Sequence, residues 1–194
     1  MKQEIINTSL DGFLKKGIRK MTIQKLVAPL GISTKTVYKY FSNKEDVLRE
    51  CLAIHYSRLL NQALDVTESF PNAALALEQV WKQAIDTDFG VNHVFYYDLN
   101  HYYPALQDEI LKKHGGKIEK AFLNLIKKGM VEGYFRRDLD PRIVFEAMTV
   151  LYRSLTRTDD FIKFRITPES LASQTLLIYL RGICTEKGLK ELSQ

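Results

Sequence analysis

The 194-residue sequence has two cysteines, four histidines, one tryptophan and no long apolar run. Cys51 and Cys184 are too few for a disulfide framework; they suit a reducing compartment and read as small buried apolar side chains. No stretch reaches the roughly 18 apolar residues of a membrane span, so no transmembrane helix is expected. Glu4, Asn7 and Asp11 interrupt the N-terminus where a signal peptide needs an apolar core. A cytoplasmic chain without a membrane partner is therefore expected. His55, His93, His101 and His114 lack a tight zinc-ligand spacing, although His93, Asp98 and His101 lie close in sequence; no metal is expected. Nucleophile elbow, phosphate-binding glycine loop and dinucleotide fingerprint are all missing, so neither catalytic residues nor a cofactor is expected. There is no strand pattern, internal repeat or low-complexity segment.

What is present is helix-forming sequence with unevenly placed charge. A hydrophobic content of 45% is ordinary for a globular protein and sufficient for a core. The net charge is +5. Residues 1–49 carry ten basic and four acidic side chains, whereas the remaining residues carry 18 and 19. All the excess positive charge thus lies in the first quarter of the chain, which points that quarter toward a polyanion.

The same quarter contains residues 22–44, TIQKLVAPLGISTKTVYKYFSNK. Thr22 is a good N-cap, and Ile23, Leu26, Val27 and Leu30 follow at helical spacing. Gly31 stands where a left-handed C-cap needs a residue without a Cβ. Pro29 sits near the end of this helix and predicts a slight kink. Ser33 caps a second helix through Phe41, with Val37 and Phe41 turned inward. Thr34, Lys35, Thr36, Tyr38, Lys39 and Tyr40 are left to face outward. Ser42 and Glu45 fit a capping box that starts a third helix at once. Two short helices joined by a tight turn, the second offering hydroxyls and ammonium groups, make a helix-turn-helix for a major groove.

Together with the preceding IINTSLDGFLKKGIRKM, the segment resembles the DNA-binding domain of the TetR/AcrR family of bacterial transcription regulators. Phe13, Lys16-Gly17, Thr22, Ile23, Leu26, Gly31-Ile32-Ser33, Thr36-Val37-Tyr38, Tyr40-Phe41, Lys44 and Leu48 carry the likeness. The resemblance implies an all-α protein: a three-helix helix-turn-helix DNA-binding domain over residues 1–47, and a helical ligand-sensing and dimerisation bundle over 48–194. Phosphates are then expected at Tyr38, Lys44 and Thr22, base edges at Thr34, Lys35, Thr36 and Tyr40, with Lys39 at the rim and the cap Ser33 beside them.

The rest of the chain reads as about nine helices in total. The first spans roughly residues 2–16 and stops at Gly17; the fourth runs from near Asn43 to about Thr67 and belongs to both domains. Phe70-Pro71-Asn72 precedes a fifth helix to about Thr87. The aromatic-rich stretch from Asp88 to Tyr103 is read as a sixth, and Ala105 to Glu132 as a seventh with a kink at Gly115-Gly116. Asp140-Pro141 and Thr167-Pro168 start the eighth and ninth.

Trp81, Phe89, Phe95, Tyr96, His101, Phe122 and Tyr152 are the candidate pocket for a small-molecule effector, although aromatics at helical spacing are more often core. The resemblance places a dimer interface on the eighth and ninth helices, where Phe145, Met148, Tyr152, Leu176, Leu177, Leu180 and Ile183 form apolar faces; filling of the chain's own core explains about half of them equally well. The expected partners are a double-stranded DNA operator, a second copy of the chain and an effector of unknown identity. A ligand-responsive repressor on a palindromic operator is expected. A transcriptional activator, or a helical interaction module that uses DNA as a scaffold, is the alternative.

Overall fold

A computed structural model describes residues 1–157, 161, 164 and 166–192, the side chains of Phe89, His114 and Arg157 excepted. Among the described residues there are eleven α-helices, one short 3-10 turn and no strand. Compactness groups the chain into two units: Met1–Arg58 with Val91–Gly115, and Leu59–Gly90 with the chain from Gly116 onward. This grouping does not coincide with the expected division between residues 47 and 48. Helix α4 (Lys44–Ser69) passes that point without a break, and residues 91–115 are built into the first unit.

In the first unit, α1 (Lys2–Lys16) buries Ile5, Ile6, Leu10 and Phe13 along one face and ends at Gly17, whose N–H donates to the Phe13 carbonyl at 2.9 Å. Helices α2 (Ile23–Val27) and α3 (Thr34–Val37) follow. Helix α6 (His93–Tyr102) packs against α1 and buries Phe95, Tyr96 and Leu99. It begins later than its aromatic run suggests, because Asn92 caps it by accepting the Val94 N–H at 2.9 Å. The same asparagine anchors it to α1: its backbone N–H reaches Leu14 O at 2.9 Å and its side-chain amide reaches Lys15 O at 3.0 Å. Helix α7 (Pro104–Val131) runs on through Gly115-Gly116 as continuous helix, and the boundary between the two units falls at that pair.

The second unit contains α5 (Ala73–Phe89), α8 (Pro141–Arg157), α9 (Pro168–Gln174), α10 (Leu176–Ile183) and α11 (Glu186–Glu191). The expected start signals operate here. Asp140 accepts the Arg142 N–H at 2.8 Å and Thr167 the Ser170 N–H at 3.2 Å; Asn72, expected only to break the chain, also caps α5 by accepting the Leu75 N–H at 3.0 Å. The expected ninth helix is two helices, broken at Thr175. The Thr175 hydroxyl bonds back to the Leu171 carbonyl, and its backbone leaves the helical region at φ −134° and ψ −90°. Leu77, Ile85, Ile126, Phe135, Met148, Leu171, Leu176 and Leu180 are among the buried side chains of this core. An isolated antiparallel bridge between Phe135 and Cys184 ties the loop after α7 to the end of α10.

Candidate nucleic-acid interface

The helix-turn-helix is closed at each end by the residues its sequence supplies. Thr22 caps α2 by accepting the Lys25 N–H at 3.3 Å. Pro29 has no N–H to continue the helix, so Ala28–Leu30 tightens into a 3-10 turn instead of kinking an α-helix. Gly31 then takes the left-handed conformation, φ 63° and ψ 20°. Ser33 accepts the Thr36 N–H at 3.3 Å, and its hydroxyl lies 3.2 Å from that of Thr36.

Two expectations need correction. The second helix is shorter than Ser33 to Phe41: α3 ends at Val37, and Lys39 N→Thr36 O (3.3 Å) and Tyr40 N→Val37 O (2.9 Å) wind the chain into a tight turn. The cap of α4 is displaced by one residue from Ser42 and Glu45. Asn43 accepts the Asp46 N–H at 2.9 Å, and the Asp46 carboxylate accepts the Ser42 N–H at 3.0 Å. The aspartate is short enough to fold back onto the preceding turn, and Glu45 instead meets Arg49.

The resulting surface keeps Val37 and Phe41 buried and presents the others. Ser33, Lys35 and Lys39 are exposed, Tyr38 is 54% and Tyr40 45% exposed, and Thr34 and Thr36 are half-buried. Thr22 is exposed beside them in sequence order at the start of α2. Two aromatic rings and two ammonium groups projecting from one short turn of backbone can stack on sugars, donate to phosphates and reach base edges.

Lys44 is placed differently. Its ammonium donates to the Ile18 carbonyl at 2.6 Å and lies 5.9 Å from the Phe13 ring centre. Burial lowers its pKa; the charge of Asp98 opposes that and the charge of Arg19 adds to it. Of its three N–H groups, one therefore holds the turn after α1, and a phosphate would share the side chain with that task. The same turn is gripped by α6, a feature the sequence did not signal. The buried Asp98 accepts the Arg19 backbone N–H at 2.7 Å, while the Arg19 guanidinium donates to Tyr102 Oη at 2.8 Å and stacks 4.2 Å above its ring. Residues 98 and 19 lie far apart in sequence, so no local pattern could have paired them.

The expected effector residues separate into the two units. Trp81, Phe122 and Tyr152 gather in the second, with Trp81 5.6 Å from Phe122 and 5.3 Å from Tyr152. Phe95 and Tyr96 belong to the core of the first, 5.2 Å from each other, with His55 6.4 Å from Phe95. His101 is exposed and stacks on Tyr97 at 4.1 Å. The Phe89 side chain lies outside the described residues, as does that of His114. Among the described residues, no group of three or more His, Cys, Asp or Glu side chains is arranged to hold a metal.

The expected interface residues also turn out to be divided. Met148, Leu176, Leu180 and Ile183 are buried in the chain's own core, Phe145, Tyr152 and Leu177 are half-buried against it, and Tyr152 donates to Asp88. Their apolar stripe serves the second unit itself. On α8 and α10 the exposed large apolar side chains are Ile143 (69% exposed), Val150 (63%) and Ile178 (61%). Ile143 and Val150 are seven residues apart, two turns of one face, which the sequence shows once the inward stripe has been assigned to the core.

Residues 5–51 match the family model described as bacterial regulatory proteins, tetR family. Over nearly its whole length the chain is similar to the HTH-type transcriptional repressor KstR2 of Mycobacterium tuberculosis, with 21% identity covering 94% of this chain and 92% of that protein. Its fold is similar to that of E. coli NemR in the reduced form (TM-score 0.78, 12% identity, 95% of this chain and 96% of that one). It is also similar to that of FadR from Bacillus subtilis in complex with stearoyl-CoA (TM-score 0.75, 16% identity, 94% and 100%). None of the described helices is long and apolar enough to cross a membrane.

Proposed function

The chain is a TetR/AcrR-family transcriptional regulator with a helix-turn-helix at its N-terminus, and from that premise we propose a ligand-responsive repressor that binds a palindromic operator as a homodimer. The observation that carries the reading is the outward set Lys35, Tyr38, Lys39 and Tyr40, held on buried Val37 and Phe41. Lys35, Thr34, Thr36 and Tyr40 meet base edges; Tyr38 and Thr22 meet phosphates, with Lys39 and Ser33 at the rim. Lys44 adds to the phosphate contacts while it holds the turn at Ile18.

One such surface offers few base contacts, and a twofold dimer would set two of them roughly 34–36 Å apart in successive major grooves. Ile143, Val150 and Ile178 supply the apolar surface for that pairing. The repressor name of KstR2 favours repression, and the stearoyl-CoA in the FadR structure favours an apolar effector, taken up in the second unit beside Trp81, Phe122 and Tyr152. The chain would act in the cytoplasm, by binding DNA and not by catalysis.

Selection of bound fragments from genomic DNA, followed by footprinting, tests this. The expected outcome is protection of one two-part palindrome, with a salt slope that Lys44→Ala makes shallower by about one unit. Even coating of all fragments, or protection of a single half-site by a monomer, overturns the proposal.

A further inference from the structure

Trp81 is the chain's single tryptophan, and its indole Nε1 is buried with no hydrogen-bond partner among the described residues. A sealed donor without an acceptor is uncommon in folded proteins and is a recurrent mark of a site that something else completes. The rings around it form a contiguous aromatic wall: Phe122 meets Trp81 edge-on at 5.6 Å, Tyr152 lies tilted at 5.3 Å, and Phe145 continues the wall 5.2 Å beyond Phe122. The hydroxyl of Tyr152 is already committed, 2.6 Å from Asp88 Oδ2 and 3.2 Å from the Ala84 carbonyl. The indole N–H is thus the uncommitted donor of this wall.

We propose that this cluster binds a neutral, largely apolar molecule through one hydrogen-bond acceptor, a ketone-type or ester-type carbonyl, which the Trp81 N–H takes. The proposal rests on the reading of the second unit as the effector-binding part and assigns the chemistry of its ligand. The charge of the surroundings selects against ions. Asp88 is buried at the edge of the cluster, and no lysine or arginine is among the buried residues described. An anionic headgroup would enter beside the buried Asp88 carboxylate, which repels it, and among the described residues no buried lysine or arginine stands by to receive it. An ammonium group brings only donors and leaves the indole N–H as unsatisfied as before. A carbonyl brings two lone pairs and no charge, and its hydrocarbon body replaces ring-on-ring contact with equivalent apolar contact.

Three probes of equal chain length separate the possibilities: 2-nonanone, nonanoate and nonylamine, each titrated into the whole protein. Binding is read by Trp81 fluorescence and by its single indole N–H resonance in a 1H–15N spectrum, and the release of operator DNA is followed in parallel. The ketone is expected to bind most tightly and to move the indole resonance downfield. In Trp81→Phe, which keeps an aromatic wall without the donor, calorimetry should show the ketone bound about fivefold more weakly. The wild-type spectrum decides the matter even if that variant does not fold. Tighter binding of nonanoate or nonylamine, no binding by any probe, or an unmoved indole resonance at saturation overturns the site. Ketone bound at Trp81 without release of DNA upholds the site and refutes the sensing reading. Release of DNA by the ketone with an unmoved indole resonance overturns the site and leaves sensing intact.

Discussion

Between Thr22 and Phe41 the chain closes its own ends with neighbours three or four residues away: Thr22 with Lys25, Gly31 with Ala28, Ser33 with Thr36, and Val37 with Phe41. The second unit has local caps as well, but its segments are also tied together over long distances. Asn72, which caps α5, also donates to Glu191 at 2.8 Å across 119 positions. Thr185 bonds the carbonyls of Gly133 and Tyr134, Arg136 N–H reaches Ile183 O at 2.9 Å, and Tyr152 reaches back to Asp88. The helix-turn-helix segment is thus specified by short-range rules and can be built on a small core. The second unit exists only once distant segments have met, so its faces are decided by packing competition. Substitutions should therefore act differently in the two regions, and three sets of them test that contrast.

The largest effect is expected at Gly188 in α11. A Cβ there would fall within the contact radius of the Tyr134 carbonyl oxygen, a backbone atom, with Cys184 Cβ 3.1 Å on another side. Tyr134 O also accepts the Thr185 N–H at 2.9 Å, so it cannot withdraw without breaking the tie between the two segments. Gly188→Ala should lower unfolding free energy by about 3 kcal/mol, at the upper end for overpacking. A urea midpoint equal to that of the parent protein would show that the tie yields, and would erase the claimed difference between the regions.

The next effect concerns pH. Burial pushes the Cys184 thiol up to about 11 from an ordinary 9.0, with Arg181 pulling it down and Glu78 raising it further. The unfolded thiol ionises first, so between pH 9 and 11 the folded state holds more protons and stability falls as pH rises. The loss attributable to this group reaches about 2 kcal/mol at the top of that window. Cys184→Ala should flatten that part of the profile while leaving the slope below pH 8 unchanged. In the first unit, burial also raises the thiol of Cys51, which donates to the Ile6 carbonyl at 3.4 Å. Cys51→Ala should likewise reduce the alkaline loss, so identical profiles for both variants and the parent would refute the assignment.

These contrasts explain what the sequence made legible. The caps at Thr22, Ser33, Asp140 and Thr167, the glycine turn and the outward side chains of α3 follow from spacing within a few residues, and each is present. Errors of one residue arose where two caps compete locally, as between Ser42 and Asn43. Larger departures arose where a residue's partner is distant. The stripe of Met148, Leu176, Leu180 and Ile183 declared itself apolar, but periodicity does not say whether the opposing face belongs to the same chain or to a second one. The aromatic run around α6 looked continuous with Trp81 and Phe122 in composition, yet α6 is anchored to α1 through Asn92 and to the turn after it through Asp98. Fold class needs only periodicity, whereas a site needs knowledge of which faces meet.

The smallest effect is expected at Gly31, whose constraint is of the opposite kind to that of Gly188. Its φ of 63° lies in the left-handed region, yet a Cβ there would find nothing within 4 Å. The penalty for Gly31→Ala is then conformational alone, about 1 kcal/mol, because an alanine Cβ crowds its own backbone in that region. Gly31→Asn should recover part of it, since asparagine tolerates the conformation better than alanine. No neighbour has to move, so Val37 stays seated and the surface of α3 keeps its shape. Operator affinity at a temperature where both proteins are folded should accordingly change by less than about twofold, while the thermal midpoint drops. A loss as large as that of Gly188→Ala, or no recovery with asparagine, would mean that the turn is held by packing after all. In that case the helix-turn-helix would not be the locally determined region of the molecule.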